Sequence, residues 1–299
     1  MIKQIPLGKT NEMVTQLGLG CINFGTLTDE KTSHALIETY LELGGNYLDT
    51  SNNYAFWNDG KARSSELVIG AWNRRNPSSR KNYLLATKLG ALPLDPSRGF
   101  ASMQGTGRNV VFEEVERSLD ALQTDYIDLL YLHVDDLSTP QEETMEALAT
   151  VVRKGYVKYI GCSNFRTWRI ECARQICAEH GFPFFCAVQQ RNSYLKPVAD
   201  ADFGVQISAD KELESYLAYY KDMTLFSHTS LLYGAYLKDT ITDSNYDTLQ
   251  NRQRLDEVRR QPDSIPFVLR RITEEFGGSV ALFTTGSTCH LKENMAYFS

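Results

Sequence analysis

A closed (β/α)8 barrel is the fold class this sequence predicts, on three observations. Eight short apolar runs alternate along the chain with longer stretches of helical periodicity. The runs are apolar throughout rather than alternating, as parallel strands covered on both faces are. The chain of 299 residues has the length at which eight right-handed βα units close into a TIM-type barrel.

The runs, in order, are QLGLGC (16–21), NYLDTS (46–51), YLLATKL (83–89), YIDLLYLH (126–133), VKYIGCS (157–163), FFCAVQQ (184–190), MTLFSHT (223–229) and VALFTTG (280–286). The residues before the first run form a short N-terminal extension. No Pro/Ser-rich linker or low-complexity segment divides the rest, so residues 1–299 are expected to make one barrel domain. The clearest helix follows the fourth run. Thr139 is its expected N-cap, with Pro140 in the first turn and Glu142 closing a capping box. Met145, Leu148, Ala149 and Val152 mark one face, and Gly155 ends it. A doubly wound sheet is the competing architecture. Its fingerprint would fall on Gly18-Leu-Gly20-Cys-Ile-Asn23, but the third glycine position is Asn and the next helix opens only at about Asp29.

Composition narrows the function. Hydrophobic residues make up 42% and charged residues 23%, with a net charge of -6, which argues against nucleic acid or an anionic membrane as the partner. The first residues lack the apolar core of a signal peptide, and no apolar run approaches the ~18 residues of a membrane span. Six cysteines without CxxC spacing read as reduced, mostly buried thiols of a cytoplasmic protein. Five scattered histidines suggest no metal site.

In such barrels chemistry gathers at the carboxyl ends of the strands. The polar residues there are Asp49, Lys88, His133, Ser163, Asn164, Gln189, Ser227, Thr284 and Thr285, and Tyr54 hangs just beyond the second run. Singly, each has a plain reading: Asp49 a turn residue, Tyr54 a packing residue, Lys88 a snorkelling cation, His133 a bonded core histidine. Together, on one rim, they make a proton-donating unit. A tyrosine hydroxyl has a reference pKa of about 10, and an adjacent ammonium lowers it. Asp49 keeps that ammonium charged in a recess, and His133 donates a hydrogen bond to a substrate oxygen. Such a unit suits carbonyl reduction beside a hydride source.

At this point the sequence resembles the aldo-keto reductase family over nearly its whole length. The motifs are Gly18-Leu-Gly20 with Phe24-Gly25, Asp49-Thr50 with Tyr54, and Ser65-Glu66-Leu67-Val68-Ile69-Gly70. They continue with Ala86-Thr87-Lys88, Thr124-Asp125-Tyr126-Ile127-Asp128-Leu129 leading to His133, and Gly155-Tyr-Val-Lys-Tyr-Ile-Gly161-Cys-Ser163-Asn164-Phe165. The resemblance implies a catalytic tetrad of Asp49, Tyr54, Lys88 and His133, with Tyr54 as general acid. It implies NADP(H) by family default, with NAD(H) plausible, and a small carbonyl or alcohol as partner, sugar-like compounds included. Cofactor contacts carry over onto Gly20, Ser163, Asn164, Gln189 (or Gln190), Gly286, His290 and Asn294. Phe226 becomes the aromatic beneath the nicotinamide, and Ser227 begins the pyrophosphate segment.

Two departures stand out. Ser227-His228-Thr229 replaces the family's Ser-Pro-Leu, and residues 284–290, before Glu293-Asn294, contain no Lys or Arg for a 2'-phosphate, only His290. Similar proteins carry a C-terminal tail over the pocket, whereas this sequence ends soon after Asn294. The segment 95–108, with glycines at 99, 105 and 107, is a candidate cover or else a plain surface loop. Phe24, Phe56 and Trp57 either line an apolar mouth or pack inside. Asp135 and Asp136 either meet polyol hydroxyls or cap the Thr139 loop. Two other functions fit the residues: a cofactor-binding subunit of the potassium-channel beta type, and a Schiff-base aldolase using Lys88.

Overall fold

The computed structural model describes residues 2–298. A hairpin, β1 (Gln4–Pro6) and β2 (Met13–Thr15), precedes the barrel. Then come β3 (Leu17–Gly20), α1 (Glu30–Glu42), β4 (Tyr47–Asp49), α2 (Phe56–Asp59), α3 (Ser64–Arg75), β5 (Leu84–Leu89), α4 (Arg108–Leu122) and β6 (Ile127–Leu132). The chain continues with α5 (Gln141–Arg153), β7 (Val157–Ser163), α6 (Thr167–His180), β8 (Ala187–Arg191), α7 (Lys211–Tyr220) and β9 (Thr224–His228). It finishes with α8 (Leu249–Arg259), α9 (Ser264–Thr273), β10 (Val280–Phe283) and α10 (Thr288–Ala296). Strands β3 to β10 are parallel, each pairs with the next, and β10 pairs back onto β3. All eight expected runs are barrel strands, and the helix after the first opens with Asp29 as its cap, accepting from Thr32 N at 2.7 Å.

Alternation on the strands separates two cores. Tyr47, Leu84, Ala86, Leu129, Tyr131, Phe226 and Leu282 fill the barrel. Residues such as Leu19, Leu48, Leu85, Leu130 and Ile160 face outward, against helix side chains including Leu36, Ile69, Val115 and Leu148. Burying such a side chain is worth roughly 1.5–3 kcal/mol. The hairpin closes the amino end, with Leu7 and Val14 buried in the inner cluster and Gly8 N donating to Thr224 Oγ1 at 2.8 Å. Gly8 has φ +55, and a Cβ there would lie 2.4 Å from the Asp222 carbonyl oxygen. Only glycine fits that seal.

One local expectation is settled differently from the sequence pattern. Thr139 does not cap α5, because its hydroxyl donates to Asp136 Oδ2 at 2.6 Å, and Pro140 becomes the flanking residue without a side-chain cap. Asp136 also takes the Ser138 hydroxyl (2.5 Å) and Thr106 N (2.9 Å), so a short-range turn captures the threonine first. These bonds hold the Asp136 carboxyl at about 2 despite partial burial. The segment 95–108 is a folded loop. Turns of 3-10 helix over Pro96–Ser102 follow the Asp95 cap, and Leu94 N donates to Ser102 O at 2.7 Å.

Candidate active site

The stretch from Asp49 to Tyr54 is pinned onto β5. Thr50 N donates to Ala86 O (2.9 Å), Asn52 N to Lys88 O (3.1 Å) and Asn53 Nδ2 to Ala91 O (3.2 Å). Asn52 Nδ2 reaches Glu114 Oε2 on α4 at 2.7 Å. Short polar side chains are what such a tight crossing needs, and they turn Tyr54 back over the strand ends.

There Lys88 Nζ donates to Asp49 Oδ2 (2.6 Å), to Tyr54 Oη (2.8 Å) and to the Thr50 carbonyl (2.9 Å). Tyr54 Oη donates to Asp49 Oδ2 at 3.1 Å, and Gln189 Nε2 donates to Asp49 Oδ1 at 2.8 Å. Burial lowers the Lys88 ammonium from its usual value, opposed by the Asp49 carboxylate. The expectation that Lys88 pulls the Tyr54 phenol down is corrected. Burial, then the facing Asp49 charge, holds the phenol well above its ordinary value. A charge pair that is locally neutral leaves little net field to favour the phenolate. Tyr54 therefore keeps its hydroxyl proton, with the Lys88 ammonium within hydrogen-bond reach of the oxygen.

His133 follows β6 and is half-buried, its ring edge-on to Tyr54 with centroids 5.8 Å apart. Burial first, then the positive Lys88 nearby, holds the imidazole well below its usual value. Ser51 Oγ lies 3.1 Å from His133 Nδ1 and 2.8 Å from Asn53 Oδ1. The sequence reading missed Ser51, although it lies inside the Asp49–Tyr54 stretch. It also missed the carbonyl of Thr50. Neither has a charge or ring to draw notice.

The aldo/keto reductase family profile matches residues 16–285. This chain belongs to the aldo/keto reductase family. The chain is 36% identical over 196 residues to an uncharacterized oxidoreductase, YrpG, of Bacillus subtilis, covering 66% of this chain and 60% of that protein. It is 34% identical over 187 residues to norsolorinic acid reductase stcV of Emericella nidulans (60% of this chain, 46% of the relative). It is 33% identical over 162 residues to aryl-alcohol dehydrogenase GME11368 of Pestalotiopsis microspora (53% and 40%). The matches span 40 to 60% of the length of these relatives.

The donor set at the strand ends suits a nicotinamide dinucleotide. Ser163 at the end of β7 is in register with Gln189 on β8, and Asn164 follows with φ +59. Gln189, not Gln190, faces the barrel interior, because Gln190 Nε2 donates outward to Phe165 O at 2.6 Å. Asn164 is already engaged, donating to His133 O (2.9 Å) and accepting from Ile207 N (3.1 Å). After β10 the chain turns into α10, with Ser287 as cap and Thr288 in its first turn. Hydroxyls and free N–H groups beside the last strand are where barrels of this kind hold phosphate. Gly286 and His290 are exposed there, and Asn294 is buried. Gly20 answers first to packing, since a Cβ would lie 2.8 Å from Thr284 Oγ1.

Two expected positions are corrected. Phe226 is 0% exposed, packed on Tyr47 with ring centroids 4.7 Å apart and on Tyr131, so neither ring face opens to the mouth. The β9 residue that reaches the rim is His228, two positions on, with Nε2 3.4 Å from Asn164 Oδ1. Strand alternation carries that signal. Ser227 faces outward, its hydroxyl accepting from Asn192 Nδ2 at 3.1 Å. Phe24 is 0% exposed in the outer core and does not line the mouth. Trp57 is 51% exposed and edge-on to Tyr54, and Phe56 beside it is half-buried. Asp135 is held by Arg169 at 2.9 to 3.1 Å, so with Asp136 also engaged neither carboxylate is free for a polyol.

Proposed function

We propose that this protein interconverts an aldehyde or ketone and the corresponding alcohol with a nicotinamide dinucleotide. The carrying observation is the bond set in which Lys88 Nζ touches both Tyr54 Oη and Asp49 Oδ2. Ser163, Asn164 and Gln189, with the start of α10, would hold the cofactor, which when bound would supply the hydride. Tyr54 turns its hydroxyl from Asp49 to the substrate oxygen and gives up the proton there. Lys88 stabilises the negative charge left on Tyr54, Asp49 keeps Lys88 in place, and His133 orients the carbonyl oxygen. In the alcohol-to-carbonyl direction Tyr54 accepts the proton.

The rim supports an apolar, ring-bearing substrate over a sugar. Leu27, Trp57, Leu94, Phe100, Leu137 and Trp168 are all exposed and all lie in segments that follow barrel strands at their carboxyl ends. Exposed apolar side chains gathered in one region mark a binding surface. Names borne by relatives, a norsolorinic acid reductase and an aryl-alcohol dehydrogenase, fit the same substrate type. The test is to add NADPH or NADH to purified protein and follow nicotinamide absorbance with aryl aldehydes, aliphatic aldehydes, ketones and sugars. Turnover of aryl aldehydes ahead of sugars is expected. Cofactor binding without turnover of any carbonyl would overturn the proposal.

A further inference from the structure

Beside the catalytic rim lies a cleft of about 200 Å³, between the segments following β5, β6, β7 and β8. Its walls include Met103, Leu137, Trp168 and Ile207, and at its edge stands Arg166. The cleft adjoins the catalytic groups through two of its lining residues. Val134 directly follows His133, and Asn164 Nδ2 donates to the His133 carbonyl at 2.9 Å. We infer that this cleft is a substrate subsite that holds the distal part of an aryl carbonyl compound carrying a carboxylate, the ring against Trp168 and the carboxylate on Arg166. This rests on the reading of the protein as a carbonyl reductase.

Size, lining and charge each point the same way. An apolar cavity of about 150 Å³ accepts benzene, so this volume takes one ring with a substituent. Trp168 is 54% and Leu137 75% exposed, which leaves apolar surface for a ring to cover. Two ionised side chains besides Arg166 bear on the charge. Asp135 lines the cleft, but Arg169 neutralises it with three bonds of 2.9 to 3.1 Å, and Arg169 also lies 5.6 Å from the Trp168 ring centroid. That pair fixes one wall and leaves no net charge. Arg166 is exposed and has no ion pair or side-chain hydrogen bond among the described residues. Its guanidinium matches a planar carboxylate in two parallel bonds.

The experiment compares carboxylate-bearing aryl aldehydes of increasing reach, 3-carboxybenzaldehyde, 4-carboxybenzaldehyde and 4-formylcinnamate, with their methyl esters. At least one acid is expected to exceed its ester in kcat/KM by about tenfold. That ratio should fall to near one in Arg166→Gln, while Trp168→Ala should weaken acid and ester alike. A binding arm independent of turnover uses calorimetry with 2-naphthoate and the uncharged 2-naphthamide. Naphthoate is expected to bind more tightly than the amide, with the difference lost in Arg166→Gln. Turnover of the neutral aldehydes without any acid preference, or one that Arg166→Gln does not change, overturns the subsite. No turnover of any aldehyde, with naphthoate binding still dependent on Arg166, overturns the reductase reading and leaves the anion-binding cleft standing. Equal binding of naphthoate and naphthamide overturns the subsite whatever the turnover.

Discussion

Lys88 Nζ lies 2.6 Å from Asp49 Oδ2, and the two side chains are 0% and 2% exposed. Bringing two opposite charges this far from water costs several kcal/mol per ion, and their attraction offsets that cost only when the remaining valences are met. Here they are met: Asp49 Oδ1 accepts from Gln189, and Lys88 spends its other protons on Thr50 O and Tyr54 Oη. Replacing a buried ion pair by well-packed apolar residues is often neutral or stabilising. The pair therefore makes sense as a support for Tyr54, whose ring also lies 4.4 Å from Lys88 Nζ.

Replacing Tyr54 by Phe removes the hydroxyl proposed as proton donor and keeps the ring. Reduction should slow by at least ~100-fold, as expected for a lost general acid, with little change in cofactor affinity. Steady-state rates and a cofactor titration check it. Near-normal turnover in Tyr54→Phe would assign the proton to another group.

Lys88→Met should damage turnover about as much, and combining it with Tyr54→Phe should cost far less than the product of the single losses. It also leaves Asp49 buried without its cation, a loss of about 3–5 kcal/mol in folding stability. Asp49→Asn added to Lys88→Met should recover part of that stability while restoring no activity. Urea titrations of the three variants measure this. Multiplicative rate losses, or a double variant no more stable than Lys88→Met, would show that the residues do not act as one unit.

The clustering of Asp49, Tyr54, Lys88 and His133 was legible because charged and ring-bearing residues at the ends of apolar runs are rare. Asp49, Lys88 and His133 each close such a run, and a parallel barrel brings those ends together. What the pattern did not carry was the direction of each side chain. Gln189 and Gln190 differ only in strand parity, and a shift of one residue exchanges inside for outside. Phe226 drew notice as an aromatic, yet its depth in the barrel follows from register, which also lifts His228 to the rim. Phe24 and Thr139 went astray for local reasons. One was swallowed by the outer core and the other was taken by Asp136 before it could cap α5. The field at Tyr54 was also hidden, since its sign depends on burial and on Asp49 as much as on Lys88.

Stability should fall on mild acidification. Burial, then the positive Arg191 and Lys88, brings His228 down to about 3, and His133 is lowered too. Both rings stay neutral in the folded protein where the unfolded chain, with histidines near 6.5, takes up protons. The unfolded state then binds more protons, so stability is full above about 6.5 and is lost as pH falls toward the folded values. Each histidine contributes at most about 1.4 kcal/mol per pH unit. Between pH 6.5 and 5, above the range of most carboxylates, denaturant midpoints should drop, and His228→Asn should remove about one proton from the slope. An unchanged slope in that variant would mean that the ring titrates normally.

Cofactor preference follows from what stands after β10. A 2'-phosphate carries nearly two negative charges, and a hydrogen bond to a charged group contributes about 1.5–3 kcal/mol. Residues 284–290 offer hydroxyls and His290 but no Lys or Arg. Several of those hydroxyls are already engaged. Thr284 Oγ1 donates to Gly20 O (3.1 Å), Thr285 Oγ1 to Ser287 O (3.3 Å), and Ser287 Oγ accepts from His290 N (3.4 Å). Lys292, exposed on α10, is the nearest fixed cation in sequence. Hydroxyls accept a ribose as readily as a phosphate, so NADH is not repelled. Preference for NADPH over NADH should therefore lie within about tenfold near pH 8, or ~1.4 kcal/mol. A His290 ring facing the phosphate would donate a hydrogen bond to it, strengthening NADPH binding alone and only while that ring is present. Titrating both cofactors at pH 8 in the wild type, His290→Ala and Lys292→Ala separates the contributions. A preference far above tenfold at pH 8 that vanishes in Lys292→Ala would assign the phosphate to that lysine, and one that survives both substitutions would place the phosphate against a cation outside this segment.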